Sequence, residues 1–240
     1  MTADRWTRAV REQLGLGRIL PLGDARDGAW IAEGAAGTVL RNAADVVAGV
    51  RLERLRIGLA DPEHAHDAAV PAPPSALPPG PLRVTAEFSA AVAWPLPESA
   101  ARLRTALAAA AAGRLGLRVA EVDLRVTDLL DEEPERVNVP PPEPPDARGT
   151  AEGDEARAAE VARAVPGVAR LTGVLGGLGQ GVHIEDRPGP DPALARRHVR
   201  LELALRADHR AVEVAREVRT RVSEALRDHP TVAVLVTSVG

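Results

Sequence analysis

From Val199 to Arg206 apolar and polar side chains alternate, with Val199, Leu201, Leu203 and Leu205 set against Arg200, Glu202, Ala204 and Arg206. A strand turns successive side chains to opposite faces, so this pattern predicts a strand with one buried face. The period then changes. Ala211, Val214, Ala215, Val218, Val222, Ala225 and Leu226 recur every three or four residues, the stripe of a helix docked by its apolar side. Asp208 stands before it as the expected N-cap. Pro230 ends it, and Val232, Val234, Leu235 and Val236 follow as an apolar run suited to a central strand. A helix between two strands of one sheet makes a right-handed crossover that leaves them parallel.

The same plan is written once before. Leu82, Val84, Ala86 and Phe88 alternate with Arg83, Thr85, Glu87 and Ser89; Pro97 suits the first turn of a helix striped by Ala100, Leu103, Leu107 and Ala111; Val122, Leu124 and Val126 close it as a strand. Arg104-Thr105 answers Arg219-Thr220, and Val126-Thr127 answers Val236-Thr237. Upstream of each stretch a helix ends in a Gly-Val turn, Gly49-Val50 and Gly167-Val168. The expected fold is α+β: two tandem α-β-β-β-α-β-like units, each a small mixed sheet covered by helices. Residues 1–28 read as an N-terminal segment with a short amphipathic helix, 29–130 as the first unit and 154–240 as the second. Within the first, Ile31 to Val47 reads as its opening helix and 61–81 as a proline-rich loop. Residues 131–153, with Pro140-Pro141-Pro142 and Pro144-Pro145, read as a semi-rigid polyproline spacer between the units.

Composition narrows the function classes. The chain has 240 residues, no Cys, no Tyr and 2% aromatics, so its core is aliphatic and thiolate chemistry is excluded. All positive charge comes from Arg, scattered among acids to a net −4, which argues against a polyanion-binding surface and hence against nucleic acid. No apolar run approaches the roughly 20 residues that span a bilayer, and nothing reads as a secretory leader. The expected location is cytoplasmic, with a peripheral membrane contact as the bolder alternative: Trp6 flanked by Arg5, Arg8 and Arg11 has the make-up of a weak interfacial anchor.

Two stretches are candidates for ligand chemistry. Asp61, Glu63, His64, His66 and Asp67 crowd one loop, with Glu63, His64 and His66 the metal-ligating candidates; a solvated polar loop is the competing reading. Gly173 to Gly181 is glycine-rich, but it lies between two strands and lacks the Gly-Lys-Ser/Thr of a phosphate loop, so a hairpin tip is expected. His183, His198, His209 and His229 are isolated in sequence, and no catalytic pair is visible. No cofactor is implied.

The segment Leu115-Gly116-Leu117-Arg118-Val119-Ala120-Glu121-Val122-Asp123-Leu124-Arg125-Val126 and the turn Val165-Pro166-Gly167-Val168 resemble the alkaline shock (Gls-type envelope stress) family. Val47-Ala48-Gly49-Val50 departs from that turn at the proline. The resemblance covers most of 29–130 and, more loosely, 155–239. It implies a non-enzymatic cytoplasmic scaffold or adaptor that binds a protein partner, such as a membrane protein, or copies of itself, and it carries no functional residue across. The alternative is a small-molecule- or metal-binding protein using the His64/His66 loop or the Gly173–Gly181 turn.

Overall fold

The computed structural model describes residues 16–149, 153–175, 179–187 and 196–240. Its elements in chain order are β1 (Ile19–Pro21), β2 (Ala29–Ala32), α1 (Glu33–Asp45), β3 (Val50–Leu59), β4 (Leu82–Ala91), α2 (Leu96–Ala110), β5 (Val119–Leu130), α3 (Gly153–Arg163), β6 (Val168–Leu171), β7 (Val182–Arg187), β8 (Arg196–Leu205), α4 (Ala211–Ala225) and β9 (Thr231–Val239). The fold is α+β with mixed sheets. β3, β4 and β5 form one sheet, β3 antiparallel and β5 parallel to β4. The other runs β1-β2-β9-β8-β6, with β7 also on β8; β8 and β9 are parallel, and β6 and β7 are antiparallel to β8.

The first sheet follows the alternation in sequence. Leu82, Val84, Ala86 and Phe88 are buried, whereas Arg83 meets Glu121 and Asp123, and Glu87 meets Arg54 and Arg125, on the opposite face. The second sheet is buried throughout β9 from Val232 to Val239. One apolar core runs through both halves, holding Trp30, Leu40, Phe88, Leu107, Leu201 and Val218 together.

The expected boundary at residue 29 is crossed by the β1–β2 pair, and the expected separation of the two units is crossed by β2 joining the second sheet. β2 adds to β9 in parallel, with Ala29, Trp30 and Ile31 opposite Val234, Leu235 and Val236. Ile31 and Ala32 are therefore strand, not helix, and α1 begins at Glu33; tertiary pairing overrides the helical pattern there. The turn before β2 is clamped to α4 by Asp27, which accepts from Arg216 Nε at 2.7 Å and Nη2 at 2.8 Å. Asp208 is not the N-cap of α4. Arg210 holds that position without a side-chain bond, and the Asp208 carboxylate lies 2.7 Å from His209 Nδ1.

The proline-rich segment is a docked strap rather than a free spacer. Asn42 bonds both the N–H and the C=O of Val139, and Asp45 accepts from the Val137 N–H. Farther on, Ser238 donates to the Pro142 C=O, Arg170 reaches the Pro144 C=O and Asp146, and the Ala147 N–H donates to the Leu171 C=O. Prolines lack the N–H to pair with one another, so their carbonyls are satisfied by side chains from the body of the protein.

Candidate functional site

The ligand candidates disperse in the fold. Glu63, His64 and His66 are all exposed on the loop after β3. Asp61 caps a short 3-10 turn there, accepting from the Glu63 N–H at 2.9 Å, and its other oxygen is 2.7 Å from His64 Nδ1. The His64 contact, followed by the Glu63 amide, holds the Asp61 carboxyl below its usual range. Among the described residues no three His, Asp or Glu side chains converge on one point. Trp6, Arg5, Arg8 and Arg11 lie outside the described residues.

The glycine-rich stretch lies between β6 and β7; residues 176–178 of it lie outside the described residues, and the donors of Val174 and Leu175 are used internally. The amides of Val174 and Leu175 point at the fully buried carboxylate of Glu202, at 2.7 Å from Val174 and 3.0 Å from Leu175. These are the backbone donors an anion would need, and the chain supplies the anion itself. His183 Nε2 is 3.7 Å from the same carboxylate. His198 is buried on β8 and its Nδ1 is 2.8 Å from the Thr231 hydroxyl. Burial first, and the charge of Arg187 next, push its pKa down to about 4 against the pull of Glu185.

What the structure does bring together is a matched pair of strand edges. Arg219 of α4 donates from Nε to the Val232 C=O of β9 at 2.8 Å; Arg104 of α2 donates from Nε to the Val122 C=O of β5 at 3.2 Å. The ladder skips Thr237 in β9 and, at the matching place in β5, Thr127; β5 has a second irregularity at Ala120. Each of these bulge threonines donates to a carbonyl of the neighbouring strand, Thr237 to Leu203 and Thr127 to Phe88. The Gly167 C=O accepts from the Arg206 N–H, and the Gly49 C=O from the Ala91 N–H. Both glycines have positive φ, +92° and +71°; Gly167 lies under Val214 and His209, and Gly49 under Trp94. The pairs Ala91 and Arg206, Trp94 and His209, and Arg104 and Arg219 stand at one constant offset along the chain.

The edges differ in what lies beyond them. On β9 the Val234 N–H donates to the Gly28 C=O, β2 pairs alongside, and Arg219 also holds the carbonyls of Arg26 and Asp27. On β5 no described residue pairs with the outer edge. The far edge of the same sheet is blocked by side chains: Arg41 on the Glu53 C=O, Glu33 on the Ile57 N–H and Arg18 on the Ile57 C=O.

Exposed apolar groups gather at the C-terminal end of β5. Val92 (58% exposed) lies where its N–H bonds the Leu130 C=O, next to Leu129 (57%); Trp94 follows on the turn and Leu96 opens α2. The Trp94 ring covers Gly49, three residues from the exposed Val46, and Arg102 stacks over it at 4.5 Å. At the corresponding end of β9 the positions of Val92 and Trp94 are taken by Ala207 and His209. Strand and helix periodicity located β5 and α2, but this patch escaped sequence reading because its members lie at turns and strand ends, where no period operates. Trp94-Pro95-Leu96, an apolar cluster in a turn, was the available signal. No protein-family model and no curated protein matches this chain.

Proposed function

We propose that this protein is a non-catalytic scaffold or adaptor of the alkaline-shock, envelope-stress type, built from one α+β module used twice. On this reading it works from the cytoplasm, in some settings beneath the membrane through a membrane-embedded partner. The observation that carries the proposal is the apolar patch of Val46, Val92, Trp94, Leu96 and Leu129 around the end of an open strand. Scattered exposed apolar residues need no explanation, whereas a contiguous group rimmed by polar residues marks an interaction surface. Two further features favour surfaces over a reactive pocket. The buried Glu202 is satisfied by the chain's own amides, and the His64 loop gathers no ligand set. No helix among the described residues is long and apolar enough to cross a membrane.

The test is cross-linked capture from the native cell with the wild-type chain and with Val92→Asp/Leu129→Asp. Both positions are more than half exposed, so the variant keeps its fold. The expected result is a defined protein captured by the wild type and reduced at least about tenfold by the variant, as loss of an apolar contact worth ~1.4 kcal/mol or more requires. Capture indifferent to the variant, with one metabolite or metal co-purifying instead, points to a ligand-binding protein and overturns the reading.

A further inference from the structure

We infer that the open edge of β5 is a self-pairing surface, on which a second copy of this chain lays its own β5 antiparallel to make one continuous six-stranded sheet. The inference deepens the scaffold reading and rests on it, because it names one partner as the chain itself. Three observations lead there.

The first is that this edge is built to accept a strand. Its counterpart on β9 already holds one: Val234 bonds the incoming chain at Gly28, and Arg219 secures the carbonyls of Arg26 and Asp27 from the flank. Backbone groups of alternate residues in a strand point to the same side. On β9 the Val232 C=O and the Val234 N–H both face β2. By the matching bond from Arg104 to the Val122 C=O, the outward groups of β5 are those of Val122, Leu124 and Val126. The Thr127 bulge does not bar addition, since β2 sits on β9 immediately before the matching bulge at Thr237.

The second is that the stretch between the two irregularities is complementary to itself in a register that leaves no like charges facing within it. Between the irregularities at Ala120 and Thr127, β5 reads Glu121-Val122-Asp123-Leu124-Arg125-Val126. Antiparallel pairing centred on Leu124 puts Asp123 of each copy opposite Arg125 of the other, twice over. Val122 then faces Val126, and Leu124 faces Leu124 across the dyad. Only outward-pointing residues meet in the hydrogen-bonded pairs, as an antiparallel ladder requires. Centring on Asp123 opposes two aspartates, and centring on Arg125 opposes two arginines, so sliding is penalised.

The third is what lies on either side. Ala101, Thr105 and Ala108 of α2, around Arg104, are small and solvent-accessible, leaving room for a second α2 across the dyad. Leu129 falls opposite Val119 of the other copy, so the apolar end of one β5 lies against the start of the other. The surface is isologous and closed, and yields a dimer rather than a fibre.

The experiment is light scattering after size exclusion on the full chain over ~1 to ~100 μM, the range in which an interface of this kind saturates. The expected mass is twice the 25.2 kDa of the chain. Arg125→Asp alone and Asp123→Arg alone are each expected to run as monomers with the circular dichroism of a folded chain, and to melt below the wild type because they lose the dimer and a contact with Glu87 or Arg83. An equimolar mixture of the two restores opposite charges at both contacts and is expected to return to the doubled mass. A wild type that stays monomeric at every concentration overturns the inference, whether or not another protein binds this edge. So do single variants that remain dimeric, and a mixture that fails to reassociate. If partner capture still depends on Val92 and Leu129 in those cases, the scaffold reading stands and only the self-pairing falls.

Discussion

β5 and β9 each close a strand-helix-strand crossover, share a threonine bulge and carry an arginine from the preceding helix on the corresponding carbonyl, yet one is half exposed and the other buried from Val232 to Val239. Their neighbours account for the difference. β9 lies between β8 and β2 with both faces covered, and its sequence is the near-continuous apolar run of such strands. Among the described residues β5 has one neighbouring strand, with one wet face, and its sequence alternates. The same contrast appears on the middle strands. Glu87 and Glu202 stand at the constant offset; Glu87 meets Arg54 and Arg125 at the surface, while Glu202 is buried under Val174 and Leu175 and bonded by their amides. What covers a ladder position, more than the ladder itself, decides the chemistry of the side chain placed there.

The largest effect expected from breaking that contrast is at the buried glutamate. Glu202→Ala leaves two backbone amides without an acceptor in a dry site, at about 1–3 kcal/mol each, so a loss of roughly 3–5 kcal/mol is expected. Glu87→Ala, at the matching surface position, is expected to cost at most about 0.5–1 kcal/mol. Urea unfolding of the two variants side by side measures the difference, and equal shifts in midpoint would show that the two faces are not differently covered.

The two arginines separate next. Arg219 serves Val232 and the carbonyls of Arg26 and Asp27, so Arg219→Ala is expected to destabilise by roughly 2–3 kcal/mol, the value of charge-assisted bonds to otherwise unpaired groups. Arg104 is exposed with one bond to Val122, and Arg104→Ala is expected to change stability by about 0.5 kcal/mol or less. Hydrogen exchange at Val234, whose N–H lies under β2, sharpens the comparison: its protection is expected to fall in Arg219→Ala and to stay unchanged in Arg104→Ala.

Much of this was legible in the residues, and the boundary of legibility has a physical cause. Period-2 and period-3.6 patterns placed β4, α2, β5, β8, α4 and β9, because those elements bury one face each and the pattern records the burial. The pairing of β2 with β9 was not legible. Ala29-Trp30-Ile31-Ala32 is buried throughout, and a short apolar run before a helix reads as its first turn. The strap was misread for a related reason: its polyproline composition reports stiffness, while its docking depends on Asn42, Asp45 and Ser238, far away in sequence. The open edge of β5 is legible only in three dimensions, being defined by the strand that lies beside β9 and that no described residue supplies to β5.

The smallest of the three expected differences between matched positions is the one pH reveals, and it tests the buried face directly. His198 and Arg83 stand at the same offset, Arg83 at the surface among acids and His198 buried against Thr231. Burial and the charges of Arg187 and Arg200, only partly offset by Glu185, bring His198 from 6.5 to about 4. The folded protein therefore binds this proton less readily than the unfolded chain. Stability from the neutral ring is intact above 6.5 and is lost progressively as pH falls from there towards 4. Discounted for solvent screening, the loss is on the order of 1 kcal/mol. Asp27 does not obscure this window. Burial pushes its carboxyl up, but the bond from Arg216, the Asp24 amide and the charges of Arg216 and Arg219 outweigh it and hold it below 3.8, so its contribution is lost only in stronger acid. Urea midpoints at about pH 7, 5.5 and 4.5 are expected to fall for the wild type and to fall less for His198→Gln, which has nothing to protonate. Parallel decline in both proteins would mean that His198 is solvated as Arg83 is, and that the two sheets differ less than their burial implies.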